Sequence, residues 1–175
     1  MSAQRAIVMI LAVYVGLVVI SSLQALSPWP WGSIPTPEVA LLVVLYLGLG
    51  GRGTAPSHLF VALVIGYLAD LFAGSPKGLE SLTLAVAMLL ARAMSSRLDV
   101  ATPWHTMVIA LVAAIAHGLL QLAISSSLYA GDASSALRLV PTTAITTALV
   151  APLCFRWLHR LDRRLSPDPA RLRMS

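Results

Sequence analysis

From Ala6 to Leu26 the chain runs twenty-one residues without a charge. At about 1.5 Å per residue, a helix of that length spans the roughly 30 Å hydrocarbon core of a bilayer. Five more apolar stretches follow, at about Pro37–Gly51, Ser57–Ala73, Leu79–Met94, Trp104–Leu128 and Leu139–Leu158. The whole chain is 58% hydrophobic and 11% charged, where a soluble domain carries about 25% charged residues. A small globule cannot hide that much apolar surface from water, so lipid is the solvent. The expected fold is an all-α integral membrane protein, a bundle of six transmembrane helices. Segments one, five and six reach spanning length. Segments two to four are shorter and are expected to thin the bilayer or to pack deep in the bundle.

The first segment reads as an uncleaved anchor. A cut after Ala25 would place Leu23 three residues before the site, and leucine is too large there.

Charge placement sets the orientation. With the N-terminus inside, Arg5, Arg52, Arg92, Arg97, Arg156, Arg160, Arg163, Arg164, Arg171 and Arg173 all fall inside. Only Lys77 and Arg138 fall outside. Ten of the twelve basic residues on one side is the positive-inside pattern, and it needs six segments to hold. Both termini are therefore expected in the cytoplasm. The basic pI of about 10.1 is a topology signal, and no nucleic-acid partner is expected. The division expected is a six-helix transmembrane domain over 1–160 and a short basic cytoplasmic tail over 161–175.

The loops fit this reading. "SPWPWGSIPTP" between segments one and two holds four prolines, which exclude helix. Trp29 and Trp31 suit the outer interface, Trp104 and Trp157 the inner one. Thr36 before Pro37 is an N-cap followed by proline at the first helical position.

Candidate chemistry is sparse. "GLGGRG", Gly48–Gly53, matches G-x-G-x-x-G but ends a membrane segment instead of joining a strand to a helix. It is expected to be a tight inner turn. The single cysteine, Cys154, forms no intramolecular disulfide, and His58, His105, His117 and His159 show no metal-ligand spacing. No nucleophile–base set or carboxylate pair stands out, so no enzyme, cofactor or metal is expected. Segment five places His117, Gln121 and Ser125 on one face. Ala110, Ala114 and Gly118 form a second stripe suited to close helix contact. Segment six offers Thr142, Thr143, Thr146 and Thr147. His117, Gln121, Ser125, Thr143 and Thr147 read either as glue between helices or as a polar ligand pocket.

The stretch "GYLADLFAGSPKGLES" carries one acid, Asp70, close to the outer end of segment three. Gly66, four residues earlier on the same face, lets another helix approach. Gly74 is expected to be a C-cap, and Ser75-Pro76 an N-cap with proline opening segment four. Gly78 permits close backbone packing. Asp70 is placed to accept from the free N–H groups that open segment four, or to pair with Lys77.

These residues carry a resemblance. "PEVALLVVLYLGL", a short basic turn, then "GYLADLFAGSPKGLESLTLAV" resembles the rod shape-determining protein MreD family. The matching positions are Pro37 and Glu38, Gly66 and Asp70, then Gly74, Pro76, Gly78 and Leu79. The resemblance implies a non-enzymatic scaffold in the bacterial inner membrane, part of the cell-elongation machinery. Its implied partners are an MreC-like protein, the glycosyltransferase RodA, a class B penicillin-binding protein and the MreB filament. Together they place lateral-wall peptidoglycan. The family also resembles the substrate-binding subunits of energy-coupling-factor transporters, which implies a six-helix bundle and supplies a rival: a small-molecule, vitamin-like binding subunit of a transporter. The basic tail is expected at the inner surface, each arginine near anionic lipid contributing about 1 kcal/mol.

Overall fold

A computed structural model of the protein describes residues 3–26, 36–50, 54–73, 78–95, 102–128 and 133–165. Among these residues the fold is all-helical: α1 Ala3–Leu26, α2 Val39–Gly50, α3 Ala55–Ala73, α4 Leu79–Met94, α5 Pro103–Leu128 and α6 Ala133–Leu165. Among the described residues three helices are long and apolar enough to cross a bilayer, through Ala55–Phe72, Pro103–Ile124 and Leu139–Arg164. Segment three, expected to be short, is one of them, because α3 starts at Ala55 and runs 19 residues. Ala6–Ile20 and Val39–Gly50 are shorter apolar stretches.

Helix α2 forms the axis of the bundle. It is apolar on every side, and Ala40 through Leu49 are all buried. A helix without a polar face belongs in a core, and α2 touches each of the other five. Its 12 residues are enclosed by neighbours, so it has no need of bilayer length. Tyr46 of α2 meets Phe155 of α6 edge-to-face at 5.7 Å, and Tyr14 of α1 meets Phe72 of α3 at the same distance.

The most extensive contacts are α5 with α6 and α3 with α4. Small residues make both possible. A Cβ on Gly66 would lie 2.4 Å from the Ser81 Cα and 2.9 Å from the Glu80 carbonyl carbon. The backbones of α3 and α4 therefore touch. Ala110, Ala114 and Gly118 are buried in α5, and a Cβ on Gly118 would come within 3.1 Å of Val140 Cγ1 on α6. Gly48, expected in an inner turn, lies inside α2 instead. A Cβ there would sit 2.7 Å from Ala91 Cβ and 2.9 Å from the Met88 carbonyl of α4. Its smallness serves the α2–α4 contact, while Gly51 and Gly53 lie outside the described residues.

Three termini differ from expectation. Helix α2 begins at Val39, two residues past Pro37. Its first bond of helical spacing, Leu42 N–H to Glu38 O at 3.1 Å, makes Glu38 the capping residue rather than Thr36. Helix α4 begins at Leu79 after Gly78, whose φ of 97° is left-handed, so Gly78 holds the cap position expected of Ser75. Gly74, Ser75, Pro76 and Lys77 lie outside the described residues. Helix α6 runs 33 residues, through Pro141 and Pro152, well beyond the expected Leu139–Leu158. The expected boundary between 160 and 161 therefore falls inside a helix.

Candidate functional site

At the end of the bundle where α3 finishes and α4 starts, Asp70 is 1% exposed. Its Oδ2 accepts the Gly78 N–H at 2.8 Å and its Oδ1 accepts the Glu80 N–H at 3.0 Å. The left-handed turn at Gly78, which glycine adopts without strain, brings both amides to one carboxylate. These are among the donors that a helix start leaves without an intrahelical acceptor. The cap comes from a residue on the preceding helix, so it ties α3 to α4 as well as finishing α4.

Glu80 continues the chain of contacts. Its Oε1 lies 3.2 Å from His117 Nε2, and its Oε2 accepts from the Gln121 side-chain amide. A carboxylate only accepts, so the bond with Glu80 assigns a hydrogen to His117 Nε2. Glu38 Oε2 stands 4.0 Å from the same nitrogen. The backbone N–H of Glu38 donates to Thr147 Oγ1 of α6 at 3.0 Å. The result is one connected set running Asp70, Glu80, His117, Glu38, Thr147. It links α3, α4, α5, the start of α2, and α6. His117 is 4% exposed. Its Nδ1 and Glu38 Oε2 have no hydrogen-bond partner among the described residues.

The five residues of the expected polar pocket separate. His117 and Gln121 stand together at the centre, and Thr147 reaches the set through Glu38. Thr143 meets it by its backbone alone, its carbonyl accepting the Thr147 hydroxyl at 2.7 Å, while its own hydroxyl donates within α6, to the carbonyls of Leu139 and Val140, both at 3.0 Å. The side chain of Ser125 lies outside the described residues. Of the expected motif residues, Glu38, Gly66, Asp70 and Gly78 converge on this end, and Pro37 precedes Glu38 there.

Sequence reasoning missed Glu80. It lies in the quoted stretch without an assigned role, and segment five holds no acid to point from His117 to it. The acids come from other helices. The available signal was topological: alternating segments put Glu38 at the start of segment two, Asp70 at the end of three and Glu80 at the start of four, all at one end of a helical bundle.

A groove of about 580 Å³ opens beside His117, between α4 and α5 and floored by α2. Thr83 and His117 are the polar residues along it; Ala87, Ala91, Ala113 and Ala116 narrow its walls. Among the described residues no group of three or more His, Cys, Asp or Glu side chains is placed to hold a metal ion.

A bundle of helices around a fully apolar axis, with three helices of spanning length among the described residues and a buried polar network at one end, is a helical membrane protein. The family model for rod shape-determining protein MreD matches residues 4–164, nearly the whole chain, and the protein belongs to that family. No curated protein and no solved structure matches the chain. Family membership gives it a role in rod shape determination, as a structural component.

Proposed function

We propose that the protein is a non-enzymatic scaffold of the cell-elongation machinery in the bacterial inner membrane. Six spans hold both termini in the cytoplasm. An MreC-like protein is its direct partner, and through it RodA, a class B penicillin-binding protein and the MreB filament are brought to sites of lateral-wall synthesis. The observation that carries this reading is the groove between α4 and α5. A vitamin-like ligand needs several converging polar groups, but among the described residues this groove offers two along an otherwise apolar length. Alanines on both walls suit a second membrane helix, since close backbone approach drives helix association in lipid. The internal network holds α4 and α5 apart at a fixed spacing. In this reading the motif residues Glu38, Gly66, Asp70 and Gly78 maintain the groove and do not themselves touch the partner.

Depletion tests the reading. Removing the protein from a rod-shaped host is expected to give wide, rounded cells, and the tagged protein is expected to co-purify with an MreC-like protein. Normal shape together with lost uptake of a vitamin would favour the transporter reading instead.

A further inference from the structure

We propose that the end of the bundle opposite the Asp70 cap carries a binding site for the anionic phosphate headgroup of an amphiphile. A cavity of about 730 Å³ lies there among α2, α5 and α6. Arg156 and His159, one turn apart on α6, line it together with Thr102 and Pro103 at the start of α5. Neither Arg156 nor His159 hydrogen-bonds or pairs with another side chain among the described residues, and none of the described lining residues is acidic. Tyr46, Leu49 and Phe155 give the lining its apolar share.

That combination selects the ligand. A free anion would satisfy Arg156 but make no use of the apolar lining. A purely apolar molecule would cover that lining and leave a guanidinium in a cavity without a counter-charge. An anionic headgroup with a hydrocarbon chain satisfies both. Guanidinium matches phosphate oxygens in a bidentate fashion. The start of α5 adds donors, because its first bond of helical spacing is Thr106 N–H to Thr102 O at 3.2 Å, so the amides before Thr106 lack intrahelical acceptors. Trp104 and Trp157, chain neighbours of the lining residues Pro103 and Arg156, are 69% and 49% exposed. Exposed tryptophans mark headgroup depth in a membrane protein, which places the cavity at the level where such a ligand presents its phosphate. Among the described lining residues it shares Leu49 with the groove between α4 and α5.

Native mass spectrometry of the full chain after detergent exchange tests this, with dioleoylphosphatidylglycerol, dioleoylphosphatidylcholine and inorganic phosphate as probes. The expected result is one retained phosphatidylglycerol per chain in preference to phosphatidylcholine. Arg156→Gln with His159→Gln is expected to lower retention about tenfold, the size of losing charge-assisted hydrogen bonds. Arg160→Gln with Arg164→Gln removes charge from the same helix outside the cavity and is expected to leave retention unchanged. All four side chains are exposed, so both variants keep the fold. Equal retention of the two lipids, or equal loss from both variant pairs, overturns the proposal. Displacement of phosphatidylglycerol by an equal concentration of inorganic phosphate would make this a free-anion site and overturn it as well.

Discussion

Asp70 holds Glu80 by its backbone: Oδ1 of the aspartate accepts the Glu80 N–H at 3.0 Å, while the Glu80 side chain reaches away to His117 at 3.2 Å. One residue is thereby fixed at both ends, by α3 through its amide and by α5 through its carboxylate. Disturbing Asp70 should therefore be felt at His117 on a helix that Asp70 does not touch through this network.

This makes the Asp70 series informative. Asn retains one acceptor oxygen and so one of the two amide bonds. Leu leaves both amides unpaired, at about 1–3 kcal/mol each. Lys adds a cation where two N–H dipoles already point. Function, scored as cell shape at matched membrane levels, is expected to fall in the order Asp, Asn, Leu, Lys. Wild-type shape from Asp70→Leu would show that the cap is incidental.

Glu80 and His117 should be energetically coupled. Removing either leaves the other's polar atoms buried without their partner. A double-mutant cycle with Glu80→Leu and His117→Leu, read by unfolding in a sodium dodecyl sulfate titration, is expected to show a coupling energy of about 1–2 kcal/mol. Additive losses would mean that the two side chains stabilise the bundle separately.

The glycines should rank by what a methyl group would strike. On Gly66 it meets the α4 backbone at 2.4 Å; on Gly118 it meets Val140 side-chain atoms at 3.1 and 3.2 Å. Backbone cannot yield, whereas a valine shifts by tenths of an ångström. Gly66→Ala is expected to cost about 1–3 kcal/mol of stability, and Gly118→Ala much less. The same titration checks both, and equal costs would contradict the close α3–α4 crossing.

Hydropathy alone located every helix, and α4 matches its expected span from Leu79 to Met94 residue for residue. It located the ends of α6 poorly, because an apolar run reports lipid contact while the helix continues through Ser134, Arg160 and Arg164 into polar surroundings. The Asp70 cap was legible because its donors lie 8 and 10 residues away, within one hairpin. Glu80 with His117 was not, since 37 residues separate them and nothing in either segment names the other. Gly48 was misread for a related reason: a glycine cluster at a segment end looks like a turn until Ala91 of another helix is seen against it.

The orientation rests on ten basic residues against two, and site-directed labelling checks it. Cysteines at Ser33 and Ser166, in a Cys154→Ala background, are expected to label oppositely with an impermeant thiol reagent. Equal labelling would contradict six spans with both termini inside.

The most direct measurement of the scaffold reading is site-specific photo-cross-linking in living cells. A photoreactive amino acid at Leu90 or Val112, both lining the groove and 59% and 60% exposed, is predicted to capture the membrane helix of the MreC-like partner. The same group at Leu153, 70% exposed on α6 and outside the groove, is predicted not to capture it. Asp70→Leu should weaken capture at Leu90 and Val112 by disturbing the spacing of α4 and α5. Capture at Leu153 with none at Leu90 or Val112 would contradict the assignment of the groove as the partner's seat.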